Sequence, residues 1–161
     1  MKGVVLAGGT AKRLQPLTCV TNKHLLPVYD KPMIYYPLES LIKAGIKEIL
    51  IVTGGEHIED FFMLLKSGKE WGARFHYAIQ EESSGTGAAL SLAEYFVGRE
   101  EFMVILGDNV VTENVSQFIR EFQEEKNRFK AKILIAKVKD PQNYGVVTFQ
   151  GKKITKIIEK P

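Results

Sequence analysis

Apolar residues fall along this chain in two patterns, short unbroken runs and stretches at helical spacing, and the two alternate. Residues 3–7 form a short apolar run that ends in Gly8 and Gly9, which predicts a buried strand entering a loop. Residues 32–44 place Ile34, Leu38, Leu41 and Ile42 at helical spacing, with Pro32 suited to a first turn and Gly45 to a C-terminal cap. Residues 48–53 read as a strand buried on both faces, 56–65 as a helix closed by Gly68, and 74–79 as an alternating strand. The same reading predicts a helix over 87–96, a strand over 102–106, a helix over 115–126 and a strand over 131–138. Residues 144–149 and 153–158 flank Gln150, Gly151 and Lys152, the signature of a hairpin with a short turn.

Strand-helix alternation from residue 3 to about 138 implies crossover connections and an α/β fold, a mainly parallel sheet with helices on both faces. Between the first strand and the first helix lies a long, mostly irregular segment, residues 10–29, carrying Pro16 and Pro27. Loops of that length in compact domains are usually functional. No repeat, low-complexity tract or linker divides the chain, so residues 1–161 read as a single domain.

Composition narrows the function classes. Hydrophobic residues make up 45% and charged residues 25%, the balance of a globular domain. The net charge of +3 suits an anionic ligand, but acidic residues are interspersed with the basic ones and no basic block with interleaved aromatics occurs, which argues against nucleic acid. A single cysteine, Cys19, precludes an intramolecular disulfide and fits a reducing compartment. Neither a signal peptide nor a membrane span is evident, so a cytoplasmic protein is expected.

Several residues carry candidate chemistry. A glycine pair after a first strand lets the backbone approach phosphates and offers them N–H groups; Thr10 adds a hydroxyl and Arg13 a planar, permanently charged fork. Taken alone, the same pattern also describes an ordinary strand-to-helix turn with a surface arginine. It is neither a dinucleotide fingerprint nor a P-loop. Lys23, if paired with Arg13, would clamp a triphosphate from the other side. Leu106, Gly107, Asp108 and Asn109 end an apolar strand, at the edge where parallel sheets bind ligands, and a carboxylate there suits Mg²⁺. A turn or cap aspartate would look the same. Gln80 ends another strand, where its amide can read a base edge; the loop 83–87 that follows also reads as a helix cap. Glu159 and Lys160 could grip a sugar hydroxyl and a phosphate, or simply form a charged terminus. His57 and His76 have no Glu or Cys at metal spacing and read as structural.

In combination these segments resemble the glucose-1-phosphate thymidylyltransferases, a sugar nucleotidyltransferase family. The resemblance runs from Leu6-Ala7-Gly8-Gly9 with Arg13-Leu14, through Asn22-Lys23-His24-Leu25-Leu26-Pro27-Val28 and Asp30-Lys31-Pro32-Met33-Ile34-Tyr35-Tyr36-Pro37-Leu38, to Leu106-Gly107-Asp108-Asn109, Asp140-Pro141, Tyr144-Gly145-Val146-Val147 and Glu159-Lys160-Pro161. It covers all 161 residues and matches the N-terminal part of the family only. It implies a three-layer, Rossmann-like nucleotidyltransferase fold with a mainly parallel mixed sheet, truncated relative to the family. It implies formation of dTDP-glucose and pyrophosphate from dTTP and glucose 1-phosphate, with Mg²⁺. Carried over by motif, Leu6, Gly8, Gly9 and Thr10 bind the nucleotide, Arg13 stabilises the leaving pyrophosphate, and Lys23 contacts the phosphates near the α-phosphorus. Gln80 and Gly85 contact the base, Asp108 binds the metal, Asn109 and Gly145 approach the sugar, and Glu159 with Lys160 holds the sugar side. The family's frequent homo-oligomers would draw much of their interface from beyond residue 161.

The sequence departs from the family in three places. Ala11 stands where the family usually has glycine, and Lys12 where it has Ser or Thr. Gly85-Thr86-Gly87-Ala88-Ala89 replaces the usual sequence after the base-reading glutamine and is nearer to other sugar nucleotidyltransferases. The family's later half, with a second metal-binding aspartate, is absent from these 161 residues. The readings left open are therefore a related enzyme using UTP, CTP or GTP, and a non-catalytic nucleotide-binding module.

Overall fold

The computed structural model describes all residues of the chain other than Thr10, Ser83, Lys126 and Lys152. The chain divides into two compact units, Met1–Glu124 and Glu125–Pro161.

The first unit is built on four parallel strands: β1 (Lys2–Ala7), β4 (Glu48–Gly54), β5 (Arg74–Gln80) and β6 (Phe102–Leu106), in the order β5-β4-β1-β6. Two-residue strands β2 (Pro27–Val28) and β3 (Lys31–Pro32) form a small antiparallel pair within the long segment after β1. Helices α1 (Tyr35–Lys43) and α2 (Ile58–Leu65) precede β4 and β5, and α3 (Thr86–Ser91) with α4 (Glu94–Val97) precedes β6. Register is continuous across the sheet, with Val4 opposite Leu50 on one side and Val104 on the other.

The alternation of side chains along a strand sorts the core into two layers. Val5, Ala7, Ile49 and Ile51 pack with Ile34, Leu38 and Leu41 from α1 and its entry and with Phe61 and Leu65 from α2. Val4, Leu6, Leu50 and Val52 face the other way, onto Ala89, Ala93 and Val97. The three-layer α/β architecture expected from the sequence is thus present, because β1 and β4 have no polar face to leave in water. Full burial of each large aliphatic or aromatic side chain contributes about 1.5–3 kcal/mol.

Element ends follow local chemistry. Gly45 adopts φ +85°. The Ile46 N–H donates to Leu41 O and the Gly45 N–H to Ile42 O, a Schellman closure of α1 as the sequence predicts. Helix α1 begins at Tyr35 rather than Pro32, since Pro32 pairs with Pro27 in the β2-β3 ladder. The helix expected over 87–96 breaks into α3 and α4 between Ser91 and Glu94.

The second unit contains β7 (Gly145–Gln150) and β8 (Lys153–Glu159), the expected antiparallel hairpin, with a register shift at Thr148/Phe149. Its turn contains Gly151 at φ +62°, while Lys152 lies outside the described residues. The expected strand over 131–138 does not form. Apolar, β-branched residues make a strand only where another backbone completes the ladder, and no described strand pairs with this segment. Ile133, Leu134, Ile135 and Val138 remain 40–56% exposed. Helix α5 (Val115–Glu125) is the amphipathic helix predicted, with Val115 buried and Ile119 packed against the first layer of the core. None of the helices among the described residues is long and apolar enough to cross a membrane.

Candidate nucleotide-binding cleft

In the four-stranded sheet the chain moves outward from β1 to β4 and β5, then returns to the opposite side of β1 to form β6. That reversal puts a crevice at the C-terminal ends of β1 and β6, where open α/β sheets bind ligands. A cleft of about 230 Å³ opens there, lined by Leu6, Gly8, Gly9, Lys23, His24, Gln80, Gly85, Thr86, Ala89, Leu106 and Asp108.

Seven of the residues singled out by sequence meet in this one cleft: Leu6, Gly8, Gly9, Lys23, Gln80, Gly85 and Asp108. Gly8 and Gly9 continue β1. Gly9 has φ +96°, and a Cβ on Gly8 would sit 2.9 Å from Gln80 Oε1, so the glycine at 8 lets the Gln80 amide close over the strand end. Gln80, the last residue of β5, donates through Nε2 to Gly85 O at 3.2 Å. Gly85 itself enters α3 at φ +94°, a left-handed value that favours glycine.

The opposite wall is more tightly constrained. The Gly107 N–H donates to Leu6 O at 2.8 Å and the Asn109 N–H to Leu106 O at 3.1 Å, which fixes the turn carrying Asp108. A Cβ on Gly107 would lie 2.7 Å from His24 Cδ2 and 3.2 Å from Ala7 Cβ. The glycine before Asp108 is therefore required by the imidazole beside it. His24 is 1% exposed, and its Nδ1 lies 2.7 Å from Asn22 Oδ1. That same oxygen accepts the His24 backbone N–H and caps the turn Lys23–Leu25. An amide oxygen only accepts, so Nδ1 carries the proton of the neutral ring. Burial, then the adjacent Lys23 charge, lowers the His24 pKa to about 4 against weaker opposing effects of Asp108 and the Ala7 backbone.

Between these supports Lys23 Nζ contacts Asp108 Oδ2 at 2.5 Å. Burial pushes the Asp108 carboxyl up, but the hydrogen bond and charge of Lys23, with His24 adding to them, hold it below its ordinary value. Among the described residues there is no cluster of three or more His, Cys, Asp or Glu side chains able to enclose a metal. Asp108 is the one carboxylate among the described cleft residues. A Mg²⁺ brought with phosphates asks for no more, since one or two carboxylates plus phosphate oxygens and water complete its shell.

The remaining predicted residues lie elsewhere. Arg13 is exposed on the turn Lys12–Leu14 and Asn109 is exposed beside Asp108; neither lines the cleft. Thr10 lies outside the described residues. Gly145, Glu159 and Lys160 belong to the second unit, where Gly145 pairs with Glu159 across the hairpin. A Cβ on Gly145 would lie 3.2 Å from Glu159 Oε2, so the two motif residues face each other closely across the hairpin. Lys160 adopts φ +47° and its ammonium stands 3.7 Å from Glu159 Oε1. Sequence reasoning missed His24, Thr86, Ala89 and Leu106 as cleft residues. For His24 the signal was available in Asn22-x-His24, an Asx cap beside a lysine, but its burial depends on β1 and β6 meeting around it.

Residues 2–161 match the family described as Nucleotidyl transferase. The chain belongs to this family. It is 42% identical over 163 residues to a glucose-1-phosphate thymidylyltransferase of Neisseria gonorrhoeae, covering 100% of this chain and 56% of that protein. A Bacillus anthracis structure assigned as a glucose-1-phosphate thymidylyltransferase, in complex with a sucrose, superposes with a TM-score of 0.95 at 45% identity, covering 100% of this chain and 65% of that one. A UDP-glucose pyrophosphorylase complexed with UDP-glucose matches with a TM-score of 0.80 at 28% identity over 99% of this chain and 69% of that one. The chain spans about half the length of the curated relatives it matches.

Proposed function

We propose that the cleft receives the nucleoside triphosphate of a sugar-1-phosphate nucleotidyltransferase, and that the whole protein forms dTDP-glucose and pyrophosphate from dTTP and glucose 1-phosphate. The observation that carries this reading is convergence: strand-end glycines, a lysine, a carboxylate and a base-sized amide from four separated segments line one cleft. A phosphate oxygen of glucose 1-phosphate attacks the α-phosphorus in line, the bond to the β-phosphate oxygen breaks, and pyrophosphate leaves. No proton need be abstracted from the attacking phosphate, so catalysis consists of positioning and charge neutralisation.

In this reading the N–H groups beside Gly8 and Gly9 and the hydroxyl of Thr10 hold the triphosphate, Lys23 and Arg13 neutralise it, and Leu6 packs beside the nucleoside. Asp108 holds Mg²⁺, which supplies charge neutralisation on the phosphates when bound. Gln80 has a second amide proton and Oε1 to offer a base edge, and Gly85 lies beside it. A pyrimidine-dione edge presents one donor between two acceptors, which that amide complements. Thymine and uracil share this edge, so the amide does not separate dTTP from UTP; the base methyl must. Asn109, Gly145, Glu159 and Lys160 are assigned to the sugar 1-phosphate. The enzyme works in the cytoplasm and, as a whole protein, as a homo-oligomer.

Pyrophosphate release is to be measured with glucose 1-phosphate and each of dTTP, UTP, CTP and GTP. Fastest release with dTTP, lost in Asp108→Ala, is expected. Turnover with UTP but not dTTP would reassign the base. A second reading is a nucleotide-binding module without chemistry. Tight dTTP binding with no pyrophosphate release would select it.

A further inference from the structure

The Lys23–Asp108 bridge joins the group assigned to phosphate and the group assigned to the metal. In the free protein each occupies the other. Both side chains are partly withdrawn from water, at 26% and 35% exposure, and both backbones are fixed. The Asn22 side chain caps the turn carrying Lys23, and the Leu6 and Leu106 carbonyls hold the turn carrying Asp108. The buried His24 ring, wedged against Gly107, sets the spacing between them.

We propose that the Lys23 ammonium is a resident placeholder for the divalent cation at Asp108, so that the free protein excludes the metal until a polyphosphate draws the lysine away. The inference rests on the reading of Asp108 as the metal-holding carboxylate. Its physical basis is that an ammonium and a divalent ion cannot both take Oδ2, and repulsion between them is large at that separation in a partly dry cleft. Phosphate oxygens offer the displaced ammonium an equivalent partner, so metal and triphosphate favour each other's binding reciprocally. The ligand class selected is a metal-bound nucleoside polyphosphate, and neither the free metal nor an uncharged nucleoside satisfies both groups at once.

The test uses the full chain and Mn²⁺ alone, with free ion followed by electron paramagnetic resonance. Lys23→Gln should bind Mn²⁺ roughly tenfold tighter than the unaltered protein, as expected for removing a charge in contact with the site, and adding Asp108→Asn to Lys23→Gln should lose that gain. Equal affinity of the Lys23→Gln and unaltered proteins would overturn the proposal. A second measurement needs no variant. In ¹⁵N spectra the bridged Lys23 ammonium should give a slowly exchanging signal that Mg²⁺ together with inorganic tripolyphosphate removes, and persistence of that signal with both bound would overturn it. If Lys23→Gln carrying Asp108→Asn binds Mn²⁺ as tightly as Lys23→Gln alone does, the metal role of Asp108 and the placeholder fall together. If instead no nucleotide is turned over while the Mn²⁺ results hold, only the catalytic reading fails.

Discussion

Gly107 illustrates how a residue without a side chain acts on a site. Its Cα lies so close to the buried His24 ring that any Cβ collides with Cδ2 at 2.7 Å. Gly107→Ala should destabilise the protein by about 1–3 kcal/mol, the range for overpacking a closed core, and disturb the Asp108 turn; denaturant unfolding measures the first and the Lys23 ammonium signal the second. A loss below about 0.5 kcal/mol would mean the ring moves aside freely. Ala11 is the opposite case. Its φ of +44° is a left-handed conformation that a side chain adopts only at some cost. The strain of about 1 kcal/mol in a left-handed alanine offsets the entropy that glycine adds to the unfolded chain. Ala11→Gly is therefore expected to leave stability unchanged or raise it by up to about 1 kcal/mol, and a clear fall in melting temperature would contradict this account.

At the level of elements, β1 and β4 owe their protection to neighbours on both sides. Each is flanked by two strands and covered by helices on both faces. Residues 131–138 have comparable apolar content but no ladder and mostly exposed side chains. Amide hydrogen exchange should follow pairing rather than hydrophobicity, with 131–138 exchanging within the fastest class and 4–6 and 50–52 among the slowest. Slow exchange across 131–138 would show that a partner strand completes it in solution. The break between α3 and α4 belongs at this scale too, since the apolar spacing through Leu90 and Ala93 reads the same for one helix as for two short ones.

For the molecule as a whole, His24 links the site to stability against acid. Its folded pKa of about 4 lies below the ordinary 6.5, so between these values the unfolded chain binds a proton that the folded chain does not. The contribution is complete above pH 6.5 and is lost as pH falls toward 4, by at most about 3 kcal/mol. His24→Gln, which keeps an amide able to donate to Asn22, should remove most of that slope between pH 6.5 and 4. An unchanged slope would show that other groups cause it.

The apolar patterning determined most of the elements and the parallel α/β class, because period and punctuation are local properties of the chain. The glycine pair, Lys23, Gln80 and Asp108 were legible as candidate chemistry because each follows an apolar run or sits in a recognisable motif. Their meeting in one cleft was decided by strand order, which puts the ends of β1 and β6 side by side. The same holds for the burial and neutrality of His24, the need for glycine at 107, and the pairing of Lys23 with Asp108. All three arise from atoms far apart in sequence and within a few ångströms in space, and no local pattern records such distances. Residues 131–138 show the converse, since their strand-like sequence was fully legible while the hydrogen-bonding partner a strand needs is a property of the fold alone.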